Sequence, residues 1–102
     1  MSSGQRSQSP HLSPRANRDT GPGVPLSLAF GRTVRRLREE AGWTQEAFAD
    51  YCGFFRTYLS RIETGKANPT FYVIDVISKA NNLPPSKLLA MAEEHQLINE
   101  IS

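Results

Sequence analysis

The sequence predicts an all-α protein: a compact domain of five short helices, preceded by an irregular leader and followed by a short helical extension. Three observations carry this expectation. Apolar residues recur at helical spacing, as in Phe30, Val34, Leu37 and Ala41 at i, i+4, i+7 and i+11. Residues that tolerate a left-handed backbone, Gly42, Gly53, Gly65 and Asn82, stand where successive helices would stop. Side chains able to build a core begin only near Leu26, and 102 residues with 38% hydrophobic content support one small domain.

Residues 1–24 are rich in Ser, Pro, Arg, Gly and Gln, a composition that cannot bury enough apolar surface to offset the entropy of ordering it. They are expected to form a disordered leader. They lack the apolar centre of a secretory signal. A plain tail fits better than a basic arm laid along a DNA groove, because the net charge here is small: Arg6, Arg15 and Arg18 stand against Asp19. Cys52 is the one cysteine and cannot form an internal disulfide, and no apolar run approaches the roughly 20 residues of a membrane span. A reducing cytoplasm and no membrane contact are expected.

From residue 25 to about residue 90 the helices follow one another closely. The first covers about 26–41 and ends at Gly42. The second covers about 44–52, with the Thr44 hydroxyl as its N-cap and Trp43 folded back as an apolar lid. Phe48, Ala49 and Cys52 form its inward stripe, and the Cys52 thiol reads as packing. Gly53 turns the chain into a third helix, 55–63, whose inward stripe is Leu59 and Ile62, led by Phe54. Pro69 and Thr70 restart the chain as a fourth helix, with Phe71, Ile74, Ile77 and Ala80 expected inward. Leu83 returns to the core, and Pro84, Pro85 and Ser86 open a fifth helix containing Leu88 and Leu89. Residues 91–102, with Met91, Leu97, Ile98 and Ile101, extend past this unit. An apolar tail without a core of its own suits a contact between two subunits.

Residues 26–102 carry nine basic and nine acidic side chains, so only local clustering favours a polyanion. The clustering exists. Arg32, Arg35, Arg36 and Arg38 lie on the first helix and Arg56, Arg61 and Lys66 further on, while Asp75, Glu93, Glu94 and Glu100 collect toward the C-terminus. Between the inward stripes of the third helix, Arg56, Thr57, Ser60 and Arg61 face outward. Their guanidinium forks and hydroxyls suit phosphates and base edges, which points to a helix presented to nucleic acid.

Thr44-Gln45-Glu46, then Gly53, then Ile62-Glu63-Thr64-Gly65-Lys66-Ala67-Asn68-Pro69 stand in an order and spacing that resembles the lambda-repressor/Cro-like helix-turn-helix regulators. The resemblance covers about residues 30–89. It implies a five-helix DNA-binding domain in which 55–63 is the recognition helix, and a homodimeric repressor that reads a palindromic operator in double-stranded DNA through the major groove. It implies that Arg56, Thr57, Ser60 and Arg61 read bases, and that Gln45, Arg35, Lys66 and Asn68 meet phosphates. Gln45 would also brace the first reading residue, and Arg38 would pair with Glu63 to tie the first helix to the third. Tyr58 either donates to a phosphate or lies against the second helix. Arg56-Thr57-Tyr58 with Ser60 and Ile62-Glu63 is also similar to the third helix of restriction–modification controller proteins.

Two departures from the pattern stand out. Phe55 occupies a position where the family commonly has a capping Ser, Thr or Asp, and it either packs on a phosphodiester, touches a thymine methyl or covers an intramolecular gap. Asn81 and Asp75 stand where apolar residues are usual. A second reading uses the same fold for protein–protein work, as an antitoxin or regulatory subunit, with the leader folding on a protein partner. An enzyme is disfavoured: His11 and His95 lie far from Cys52 in sequence, and no phosphate-binding glycine loop or metal-ligand spacing is present, so no cofactor or metal is expected.

Overall fold

The computed structural model describes the backbone of residues 23–101 and side chains as far as Leu97; the expected disordered leader lies outside the described residues except for Gly23 and Val24, as do the side chains of Ile98 and Ile101. Five helices follow: α1 (Leu26–Glu40), α2 (Gln45–Cys52), α3 (Arg56–Glu63), α4 (Phe71–Ala80) and α5 (Pro85–Ile101). No strand occurs among the described residues. The central helix is α1, packed along α5 and across α3, while α2 leans on α3 and α4. Phe30, Val34, Phe48, Ala49, Leu59, Ile62, Val73, Ile77, Leu88 and Ala92 make one shared core.

The first four helices each stop on a left-handed residue, which turns the chain sharply into the next connection. At Gly53 (φ +82°) the amide of Phe54 reaches back to Ala49 O and that of Gly53 to Asp50 O, the paired bonds that close a helix end in a tight turn. Asn82 (φ +58°) performs the same stop after α4 without being glycine. Two helix starts are capped by a hydroxyl: Thr44 Oγ1 accepts from Ala47 N at 3.1 Å, and Thr70 Oγ1 accepts from Val73 N at 3.2 Å.

The inward faces differ from the periodicity in two places. Ala41 is the C-cap of α1 and lies exposed, because the chain has already begun to turn there. Phe71, expected inward, is 89% exposed. The buried face of α4 is Val73, Ile77 and Ser78, with Ile74 and Ala80 half-buried beside it. Six positions before Ile77, Phe71 lies about 120° around the helix from it, at the tip of the first turn. Asn81 is half-buried and donates to Ile77 O at 2.9 Å, and Asp75 pairs with Lys79 at 3.1 Å, so both polar departures are satisfied within α4. Residue 90 interrupts nothing: α5 runs on without a break, Ala92 is fully buried, and Gln96 Nε2 donates to Val24 O at 2.9 Å.

Gly31, inside α1, lies against the C-terminal backbone of α3. A β-carbon at that position would meet the carbonyl oxygens of Ile62 and Glu63, the latter at 2.8 Å. The crossing of α1 and α3 therefore depends on a missing side chain. Gly31→Ala should lower stability by about 3 kcal/mol through forced separation of the two helices. Gly42→Ala, where the same β-carbon meets open space but φ is +85°, should cost about 1 kcal/mol. Urea unfolding of both variants measures the difference.

Candidate nucleic-acid interface

On α3 the buried arc is Leu59, Ile62 and Glu63. The opposite arc carries exposed Arg56, Thr57 and Arg61, with Ser60 half-buried. Tyr58 is half-buried with its ring edge-on to Phe54, centroids 5.7 Å apart, and both rings pack on the core. Lys66 and Asn68 are exposed on the loop after α3.

Behind this surface lies a buried ion pair. The Arg38 guanidinium donates from Nε to Glu63 Oε2 at 2.7 Å and from Nη2 to Glu63 Oε1 at 3.0 Å, a two-pronged contact between α1 and the last residue of α3. A third donation goes from Arg38 Nη1 to Trp43 O at 3.0 Å, which fixes the turn between α1 and α2. The hydrogen bond to Glu63 and its negative charge hold the Arg38 pKa above its already high ordinary value, against the opposing effect of burial.

Gln45, first residue of α2, extends this pair to the surface. Its Nε2 donates to Glu63 Oε1 at 3.0 Å, and its Oε1 accepts from Arg56 Nη1 at 3.3 Å. One amide thus joins the buried carboxylate to the first side chain of α3. At the other end of that helix, Arg61 Nη2 donates to Lys66 O at 2.8 Å, and Lys66 N donates to Arg61 O at 2.8 Å. Residues 61 and 66 are tied twice, so the loop is held close to the helix while four of the five Arg61 donors remain for other acceptors.

The charges sort into two kinds. On α1, Arg35 pairs with Glu39 at 3.0 Å and Arg36 with Glu40 at 3.9 Å, each one helical turn apart and exposed. Arg35 therefore belongs to neither network of α3. Arg56, Arg61 and Lys66 have no acidic side chain within ion-pair distance among the described residues. Arg32 on α1 and Lys87 on α5 are likewise exposed without an acidic partner, but Arg56, Arg61 and Lys66 fall together on α3 and its exit loop, an arrangement that a polyanion neutralises.

Two contributors had no direct signal in a reading of outward-facing residues. Gly31 sets how closely α3 sits on α1, and the cue was a glycine inside a helical run. The Trp43 carbonyl, as a backbone acceptor, leaves no mark in the residue pattern. Cys52 is half-buried beside α4, and burial pushes its thiol up to about 11. The native state therefore holds the thiol proton more tightly than the unfolded chain, whose value is about 8.5. Stability from this group is unchanged below that value and falls as pH rises through it. Iodoacetamide at pH 8 should modify native Cys52 roughly tenfold or more slowly than the chain unfolded in urea.

Removing one partner of the buried pair leaves the other charged and unsatisfied. Glu63→Ala should cost about 3–5 kcal/mol, and the double variant Arg38→Met/Glu63→Leu should cost far less than the sum of the two singles. Urea denaturation of the four-member cycle measures both.

A family model described as "Helix-turn-helix domain" matches residues 29–91. Among characterised relatives, control protein C.BamHI of Bacillus amyloliquefaciens is 40% identical over 63% of this chain and 80% of its own length. The competence pilus inhibition repressor of Acinetobacter baylyi is 33% identical over 65% of this chain, which spans 60% of that protein's length. Among solved structures, the restriction-modification controller protein C.AhdI from Aeromonas hydrophila superposes with a TM-score of 0.57 at 31% identity, covering 60% of this chain and 92% of its own. The matched span contains all of α2, α3 and α4, and with it the Arg38–Glu63–Gln45–Arg56 network; on these grounds the chain belongs to the helix-turn-helix domain family.

Proposed function

We propose that the chain is a sequence-specific, DNA-binding transcriptional regulator that acts as a homodimeric repressor on a palindromic operator. The observation that carries this reading is the uncompensated charge of Arg56 and Arg61 on a helix, and of Lys66 on its exit loop, with the helix braced from behind by Gln45 and the Arg38–Glu63 pair. A rigidly backed helix keeps its guanidinium groups aimed, and a major groove presents the acceptors they fit.

In this reading α3 lies in the groove. Arg56, Thr57, Ser60 and Arg61 meet base edges, while Gln45, Tyr58, Lys66 and Asn68 set the register on phosphates, with Arg35 exchanging Glu39 for a phosphate oxygen. Arg56 offers two parallel donors to a guanine, and its third contact, to Gln45, limits the angles it samples. Repression follows from occupancy of the operator and requires no chemistry. That the similar proteins include a repressor, a control protein and a restriction–modification controller protein supports a regulatory use of the same surface.

Dimerisation would place two such helices about 34 Å apart on one face of the duplex and multiply two weak half-site affinities. Leu97, 55% exposed on the far half of α5, supports assigning residues 91–102 to that contact. No described helix is long and apolar enough to cross a membrane.

Binding to an array of operator variants tests the reading. Arg56→Ala should relax preference at one base pair per half-site, by about 1–3 kcal/mol of discrimination. Lys66→Ala should weaken all sequences alike and reduce the slope of affinity against salt by about one unit. An unchanged base preference in Arg56→Ala would remove that residue from the readout, and failure of the wild type to bind any duplex at low salt would overturn the reading.

A further inference from the structure

Phe55 is the N-cap of α3, immediately before Arg56, with an extended backbone (φ −73°, ψ 144°) and no side-chain capping bond. Its carbonyl accepts from Tyr58 N at 3.0 Å and Leu59 N at 3.1 Å, so the residue is firmly held by its main chain. Its ring is 83% exposed and joins none of the aromatic contacts, which link Trp43 with Phe48 and Tyr51, and Phe54 with Tyr58. Among the described residues the ring is left uncovered and joins no hydrophobic cluster. A position that favours a hydroxyl or carboxylate instead carries an exposed aromatic, at a cost to the helix start that no ring contact among the described residues offsets.

The surroundings limit what the ring can meet. Resting on the reading above, in which α3 enters the major groove, Phe55 stands at the end of the helix that approaches base edges first. A phosphodiester is a poor partner, since the ring face carries negative charge density and the ring has no hydrogen-bond donor. The floor of the groove offers one apolar group, the C5-methyl of a pyrimidine. We propose that Phe55 is a specificity-determining residue that packs against the C5-methyl group of a thymine, or of a 5-methylcytosine, beside the base pair read by Arg56. The operator thereby acquires sensitivity to a methyl group beside the base pair that Arg56 reads.

The test uses the full chain and the duplex it selects from a random pool, with affinity followed by fluorescence anisotropy at fixed salt. Each thymine of one half-site is replaced in turn by deoxyuridine, and each cytosine by 5-methylcytosine, for wild type and Phe55→Ser. Phe55→Ser supplies the missing cap, so its melting temperature should equal or exceed that of wild type, which separates reading from folding. At one position wild type should lose about fourfold in affinity on removal of the methyl group, the factor expected from burying one such group, and Phe55→Ser should not respond there. A gain of similar size on cytosine methylation, absent in Phe55→Ser, would identify 5-methylcytosine as the source instead. Equal responses of the two proteins at every position would overturn the proposal while leaving DNA binding intact. Selection of no duplex at all would overturn the DNA reading and this proposal together.

Discussion

The buried contact between Arg38 and Glu63 is the constraint on which the arrangement of the helices depends. Two charges removed from water cost more to desolvate than most pairs recover, and this pair is tolerated because nearly every polar atom on it is engaged. Glu63 receives two bonds from Arg38 and one from Gln45, and Arg38 spends a further donor on the Trp43 carbonyl. Those partners lie on α1, the α1–α2 turn, the start of α2 and the end of α3. The pair therefore contributes orientation more than net stability: an apolar substitute could fill the space, but nothing apolar would fix four segments in register.

The same economy explains the outward surface. A short helix of eight residues has little intrinsic stability, and α3 lacks a capping side chain at its start. It is held instead by Leu59 and Ile62 in the core, by the close approach of Gly31, and by the double tie between Arg61 and Lys66. With the position of α3 settled from beneath, Arg56 and Arg61 each give up only one side-chain donor to the protein and keep the rest for other acceptors. That is the condition under which a helix can present uncompensated guanidinium groups and an uncovered phenyl ring without losing its place.

Much of the fold was legible in the sequence because it is written locally. Helical spacing, the Thr44 cap and the left-handed stops delimit the first four helices within a residue or two. Periodicity was weaker at helix ends, where Ala41 and Phe71 share the spacing of the core yet lie beyond the reach of the neighbouring helices. It was silent where the deciding contact is distant. Nothing local links Gln45 to Glu63, 18 residues on, and the contrast between Arg35 and Arg36, paired along α1, and Arg56 and Arg61, without an acidic partner on α3, emerges only when the side chains are placed. The extension after residue 90 looked separable by composition, whereas Ala92 and Gln96 bind it to the body of the domain.

The two-sided bond of Gln45 restricts what that position can be. It faces a carboxylate with its nitrogen and a guanidinium with its oxygen, so the residue there has to offer a donor and an acceptor about one amide apart. Glutamate would set like charges against each other at Glu63, and lysine would do so at Arg56; a shorter asparagine would not span the gap. The carboxamide acts as a neutral adaptor between opposite polarities, transmitting position from the interior to the periphery without carrying net charge itself.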